Sequence, residues 1–278
     1  MTSFAVQVAQ RTCTGSRSRN EDCIAVDHQG PHWCLVLSDG AGGHGHGAEA
    51  ARRVVERVVA GFRTRPPADA LDLSELLLDA HDAVIAGQRE MGTSSVKSSM
   101  HATVVVLLID TSKGVALWGH VGDSLLYLWR EGRLNTVTRD DSVLQSVLDT
   151  GLVDLTSMNK MSNRGALLAA LGSADEIEPH VAGPFALHRS DALLLCSDGW
   201  WGGLDFETLS ESLAHAATPE SWLDAMIDLT QQRADPRQDN YSAIAVWIGD
   251  SVGSHAAESA ADSQVRAARL TQGPAPSC

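Results

Sequence analysis

Ser38-Asp39-Gly40-Ala41-Gly42-Gly43-His44-Gly45-His46-Gly47-Ala48-Glu49 follows the apolar run Trp33 to Leu37 and leads into an alanine-rich stretch with helical spacing. A strand thus hands one carboxylate, Asp39, to a glycine turn. Gly40 to Gly45 also spells G-x-G-x-x-G between strand and helix, the pattern of a dinucleotide-binding turn. That reading fails on charge and on order. A pyrophosphate needs helix N–H groups free of a neighbouring anion, and Asp39 stands beside the first glycine. The helix is followed by Pro66-Pro67 and more helix, where a dinucleotide fold needs a second strand ending in an acid. A carboxylate at a strand end, with backbone free to approach it, suits a hard metal ion instead.

Outward from this stretch, alternation and apolar runs predict strands over Phe4 to Ala9, Cys23 to Val26 and His32 to Leu37. Val54, Val55, Val58, Val59 and Phe62 mark one face of a helix over 48–63, which Pro66-Pro67 stops. A second amphipathic helix spans 73–89, with Ser74 as its candidate cap. Four short apolar runs, 102–109, 115–121, 125–129 and 134–137, predict an antiparallel meander. A helix over 142–149 and a surface excursion over 151–164 follow. Strands over 178–182 and 192–196, helices over 205–214 and 219–233, and a closing strand over 241–248 complete residues 1–250. From 251 to 278 the chain is small, polar and without apolar periodicity, which predicts a disordered tail.

With 278 residues, 44% of them hydrophobic, the chain can bury a substantial core. A formal net charge of −14 speaks against nucleic acid or an anionic membrane as partner and favours a cation-binding site. Met1 to Arg11 lacks the pattern of a signal peptide, and no apolar stretch is long enough to span a bilayer. Five cysteines without C-x-x-C spacing speak against a zinc site or a disulfide framework. A reducing cytoplasm is the expected compartment.

Ser-Asp-Gly occurs twice, at 38–40 and 197–199, each time where an apolar strand runs out. Glu21 and Asp22 precede the strand that begins at Cys23, Asp123 follows the strand over 115–121, and Asp239 precedes the closing strand. Any one of these acids alone is turn chemistry. Six carboxylates at strand ends are harder to assign to turns: drawn together they repel and need a cation. All-oxygen ligation selects Mg²⁺ or Mn²⁺.

In order and spacing, Arg17-x-x-Asn20-Glu21-Asp22, the Asp39-Gly40-x-Gly42-Gly43-His44 loop with Glu49, Gly122-Asp123-Ser124, Ala170-Leu171-Gly172 with Glu178-Pro179, Ser197-Asp198-Gly199 and Asp239-Asn240 resemble the metal-dependent type 2C serine/threonine protein phosphatases in their bacterial form. The resemblance runs from Phe4 to Asp250. It implies an α+β fold, a four-layer sandwich of two mainly antiparallel sheets flanked by helices, forming one catalytic domain over 1–250. It also implies hydrolysis of phosphoserine and phosphothreonine by in-line attack of a water shared by two divalent ions. On that likeness Asp39 bridges two Mn²⁺ or Mg²⁺ ions, Gly40 (by its carbonyl) and Glu21 complete one site, and Asp198 and Asp239 the other. Asp22 holds metal-bound water, Asp123 joins Asp198 at a weaker third ion, and Arg17 binds phosphate. The implied partners are phosphorylated proteins and an opposing Ser/Thr kinase; the expected state is a monomer.

The chain departs from the family where a glycine is usual, at His101, and where an arginine is usual, at Leu125; the His-Pro of the family's mobile segment is absent around 158–164. The rival reading is a catalytically weak or silent relative that binds phosphoproteins as a regulatory module. His44 and His46 read as turn or helix-start residues, Trp200 and Trp201 as core, Cys34 and Cys196 as small buried hydrophobes.

Overall fold

The computed structural model describes residues 4–41, 46–92, 100–138, 169–201 and 204–250. The strands are β1 (Phe4–Cys13), β2 (Cys23–Gln29), β3 (His32–Ser38), β4 (Gly40–Ala41), β5 (His101–Ala102), β6 (Val104–Asp110), β7 (Val115–Val121), β8 (Leu125–Arg130), β9 (Arg133–Val137), β10 (His180–Ala186), β11 (Ala192–Cys196) and β12 (Tyr241–Asp250). The helices are α1 (His46–Thr64), α2 (Ala70–Met91), α3 (Asp198–Trp201), α4 (Phe206–His215) and α5 (Pro219–Gln232). Two five-stranded sheets result, β1-β12-β11-β8-β9 (sheet A) and β10-β7-β6-β3-β2 (sheet B), with β4-β5 as a small third. Every pairing between these strands is antiparallel.

Alternation along each central strand sorts its side chains into layers. In β3, Cys34 and Val36 join Val54, Val58 and Phe62 of α1 and Leu73, Leu77 and Val84 of α2, while Trp33, Leu35 and Leu37 join the inner faces of both sheets. The outer face of sheet A buries Tyr127, Trp129, Leu194 and Ala245 against Leu209 of α4 and Trp222 and Met226 of α5. Helices, sheet B, sheet A and helices therefore stack in that order, as expected.

Boundaries moved where caps were misread. Asp69, not Ser74, caps α2: its side chain accepts the Asp72 N–H at 3.0 Å, so the helix begins at Ala70. β10 begins at His180, two residues later than the apolar pattern indicated. The mini-sheet β4-β5 went unforeseen, its strands being too short for periodicity to register. The helix expected over 142–149, the excursion over 151–164 and the tail over 251–278 lie outside the described residues, as does His44. Trp200, Cys34 and Cys196 are fully buried. Cys23, Cys34 and Cys196 are free thiols, whereas Cys13 takes part in a disulfide.

One buried ion pair fixes sheet A near its β9 edge. Asp191 is 1% exposed and receives Arg130 Nε and Nη2, both at 2.8 Å. Arg130→Ala strands that carboxylate, and urea unfolding should show a loss of roughly 2 to 3 kcal/mol; the value sits at the low end for a broken buried pair because the guanidinium is partly exposed.

Candidate active site

The ends of strands from both sheets meet at one mouth of the sandwich. Sheet B contributes Glu21 and Asp22 before β2, Asp39 and Gly40 after β3, and Asp123 after β7. Sheet A contributes Asp198 after β11 and Asp239 before β12. Arg17 lies in the turn between β1 and β2.

Asp39 is held through its backbone. Its N–H donates to Thr103 Oγ1 at 3.0 Å and its carbonyl accepts the Thr103 N–H at 2.8 Å. Thr103 Oγ1 in turn lies 2.7 Å from Ser124 Oγ, and both residues are buried. The side chain is thereby aimed at Asp198, with which it shares a hydrogen bond across the gap between the sheets. Desolvation, followed by the charges of Asp22, Asp198 and Asp123, pushes the Asp39 carboxyl well above its ordinary range. Desolvation and then the neighbouring Asp239 charge raise Asp198 as well, against the hydrogen bond from Asp39.

Asp22 sits deeper. Its Oδ2 accepts from Ser197 Oγ at 2.9 Å, and burial pushes its pKa up to about 7 despite that hydrogen bond. The two Ser-Asp-Gly segments thus differ in use: Ser197 holds a carboxylate, whereas Ser38 Oγ donates to the Thr103 carbonyl at 2.6 Å. Glu21 is fixed at its N–H by Asn240 Oδ1 at 2.8 Å. Its carboxyl is raised mainly by burial, with Arg17 and Arg19 opposing.

Gly40 has no room for a side chain. A Cβ there would collide with the Gly47 carbonyl and lie 2.7 Å from the Glu21 carbonyl. A Cβ on Gly47 would in turn lie 2.6 Å from the Gly40 carbonyl and 2.7 Å from Glu21 Oε2. The glycines of the opening stretch therefore let the Gly40 carbonyl and the Glu21 carboxylate share one corner.

Arg17 is tied to the acids directly. Its Nη2 donates to Asp239 Oδ2 at 2.6 Å, and Asp239 Oδ1 accepts the Asn240 N–H at 2.8 Å. Glu49, quoted with the glycine loop, stays out of the cluster: it pairs with Arg52 and Arg53, whose hydrogen bonds, Arg52's foremost, lower its pKa. His46 opens α1.

Among the described residues no three His, Cys, Asp or Glu side chains stand as a closed ligand set. Arg17 occupies Asp239, and Asp39 and Asp198 are bonded to each other. Two oxygens nevertheless call for a partner: Asp22 Oδ1 and Asp198 Oδ1 are buried with none. Hard oxygens, crowded like charges and orphaned acceptors fit a hard divalent cation.

Sequence reading missed the supporting side chains. Asn240 Nδ2 donates to the Thr14 and Arg19 carbonyls, both at 2.8 Å, so with its bond to Glu21 it staples the whole Arg17 turn. Asn20 reaches Thr12 Oγ1 at 2.6 Å and Ser242 Oγ reaches the same atom at 2.7 Å. Asn20 and Asn240 flank the acids in the quoted motifs, and that adjacency was the available signal.

The two departures sit differently: His101 Nδ1 is buried without a hydrogen-bond partner. His101 pairs with Ala41 in the mini-sheet, its imidazole half-buried. Leu125 is a buried core residue in the cluster with Tyr127 and Cys196.

Two stacked antiparallel sheets between helical layers, with acids from both sheets at one mouth, define an α+β sandwich with a composite carboxylate site. Residues 9–240 match the family model for protein phosphatase 2C, and the chain belongs to that family. The serine/threonine protein phosphatase PstP of Mycobacterium tuberculosis is 29% identical over 235 residues, covering 84% of this chain and 43% of PstP. The chain thus spans less than half the length of that relative. Protein phosphatase PhpP of Streptococcus pneumoniae is 27% identical over 187 residues, 66% of this chain and 74% of PhpP. The catalytic domain of PstP, solved in complex with two manganese ions, matches with a TM-score of 0.76 at 25% identity, covering 89% of this chain and 100% of that one.

Proposed function

We propose that residues 1–250 form a serine/threonine protein phosphatase that hydrolyses phosphoserine and phosphothreonine with Mn²⁺ or Mg²⁺. The observation that carries this is the meeting of Glu21, Asp22, Asp39, Asp198 and Asp239 at one mouth, with buried Asp22 and Asp198 oxygens left unpartnered. Asp39 would bridge two ions, with Gly40 and Glu21 on one and Asp198 and Asp239 on the other. Asp123 and Asp198 would hold a weaker third. Two divalent ions held by these residues would supply an activated water and charge neutralisation at phosphorus.

The chain's own residues position and select. Asn240 keeps Glu21 and the Arg17 turn in one piece, and the Thr103–Ser124 pair fixes the backbone of Asp39. Asp22, bonded to Ser197, is placed to hold a metal-bound water. Arg17 is the phosphate fork: leaving Asp239, its guanidinium can take two phosphate oxygens in one plane. The substrates would be phosphorylated proteins made by an opposing Ser/Thr kinase, met by a cytoplasmic monomer; the net charge of −14 argues against nucleic acid and anionic membranes.

The test is release of phosphate from a phosphothreonine peptide with Mn²⁺, lost in EDTA and restored by Mn²⁺ or Mg²⁺. Turnover in chelator, or rescue by Zn²⁺ alone, would sink the two-ion mechanism. Arg17's hold on Asp239 favours one rival, a silent module that binds phosphopeptide; that rival shows binding without release.

Arg17→Ala is expected to raise KM and lower kcat/KM by about 10- to 100-fold, roughly 1.4 to 2.7 kcal/mol. Because it also frees Asp239, Mn²⁺ binding by calorimetry should tighten. Weaker Mn²⁺ binding would mean that Arg17 organises the ligands rather than competing with the cation.

A further inference from the structure

Thr12 stands in β1 opposite Ser242 of β12, and two side chains meet on its hydroxyl oxygen. Asn20 Nδ2 donates to Thr12 Oγ1 at 2.6 Å, and Ser242 Oγ donates to the same atom at 2.7 Å. A hydroxyl oxygen has two lone pairs, so both are taken.

Each of those side chains leads to Asp22 by its own route. Asn20 turns its Oδ1 back to accept the Asp22 N–H at 3.1 Å, which fixes the backbone. The Ser242 N–H donates to Ser197 Oγ at 3.0 Å, and that hydroxyl gives its own hydrogen to Asp22 Oδ2 at 2.9 Å. Ser197 and Ser242 are fully buried, and the Ser197 N–H is bonded to the Ser242 carbonyl at 3.1 Å. One hydroxyl thus stands behind both the backbone and one carboxylate oxygen of Asp22. The other oxygen, Oδ1, is buried without a partner. Thr12 and Ser242 lie in sheet A and Ser197 follows β11 of that sheet, whereas Asp22 leads into β2 of sheet B. The neighbouring charges of Asp198 and Asp239 repel Asp22, so without these bonds its carboxylate would turn away from them.

We propose that Thr12 is a positioning residue for phosphoester hydrolysis: through Asn20 and Ser242 it holds Asp22 with Oδ2 on Ser197 and Oδ1 available to the site. The proposal deepens the phosphatase reading and rests on it. The Arg17 turn has a separate fastening, because Asn240 ties it at the Thr14 and Arg19 carbonyls. Thr12 should therefore act on the chemical step and leave phosphate capture alone.

The test compares Thr12→Val, which keeps the shape and removes the acceptor, with Thr12→Ser, which keeps the acceptor. Crystals of metal-free Thr12→Val should show Asp22 displaced, with its bond to Ser197 or its bond to Asn20 opened beyond hydrogen-bond reach. With Mn²⁺ and a phosphothreonine peptide, kcat should fall by about 10-fold while KM stays within about twofold, the lower end for loss of a group that supports a metal site. Thr12→Ser should return kcat to within about twofold of the parent. A Thr12 that serves only stability would lower the thermal midpoint of Thr12→Val and leave Asp22 and kcat as in the parent; that result would overturn the proposal. So would a fall in kcat that Thr12→Ser does not reverse. If Thr12→Val does not fold, Ser242→Ala, which removes a donor and strands none, decides by the same two readings, with kcat lowered by about threefold, the scale of one hydrogen bond. A parent that released no phosphate would sink the phosphatase reading, and the position of Asp22 in the crystals would still decide this one.

Discussion

Asp39→Asn is expected to lower kcat/KM toward a phosphothreonine peptide by at least about 10³-fold, as befits loss of a ligand shared between two ions. The same substitution should make the protein more heat-resistant in EDTA at pH 7.5. The sign follows from linkage. Folding raises the Asp39 carboxyl well above its ordinary value, through desolvation first and the charges of Asp22, Asp198 and Asp123 next. A carboxyl raised in this way weakens the fold as pH climbs past the unfolded value, because the unfolded chain gives up its proton more readily. Asparagine has no proton to lose, so the variant escapes that penalty. In excess Mn²⁺ the order should reverse, the parent gaining from the ion that the variant binds poorly. Scanning calorimetry in both media checks the crossover; a variant less stable than the parent in EDTA would mean that Asp39 is held by favourable bonds, not strained by its neighbours.

Gly40→Ala should be as damaging without touching a charge. The added Cβ meets the Gly47 carbonyl and crowds the Glu21 carbonyl, both backbone groups that no rotamer change can move aside. Either α1 shifts away from β4 or the β4-β5 ladder opens. We expect a loss of at least about 3 kcal/mol in urea unfolding, at the upper end for overpacking, and more than about 100-fold in kcat/KM. Gly30→Ala is the control: nothing lies within 4 Å of its Cβ, and its φ of +56° makes the cost one of backbone strain alone. Equal losses at both positions would show that close approach at Gly40 is not what the glycine serves.

Much of this was legible because the acids sit at strand ends that the apolar runs mark. Trp33 to Leu37 and Ala192 to Cys196 announce themselves as buried strands, and the residue after each run is placed by that fact alone. Layering followed for the same reason, since β3 and β6 are apolar on both faces and must be covered twice. What pattern could not supply was partnership across distant segments. The bond between Asn240 and the turn at 14–21 joins residues more than two hundred positions apart. Nothing in the local sequence of either says which way the amide points. Arg17 is a second case: spacing sets it near Glu21, and the charge interaction between them agrees, but the carboxylate it bonds, Asp239, arrives from the segment before β12. Short elements failed for want of length, as β4 and β5 did.

The composite origin of the acid cluster has a consequence for how long the protein survives. Asp39 and Asp198 come from opposite sheets, so a cation taken up between them would act as a rivet through the middle of the sandwich. Each hundredfold excess of ion over its dissociation constant would then add about 2.7 kcal/mol against unfolding. Proteases that attack the opened chain would find it scarcer by the same factor. Starved of its ion, the protein would lose activity and also abundance, so metal supply would govern the dose of enzyme as well as its turnover.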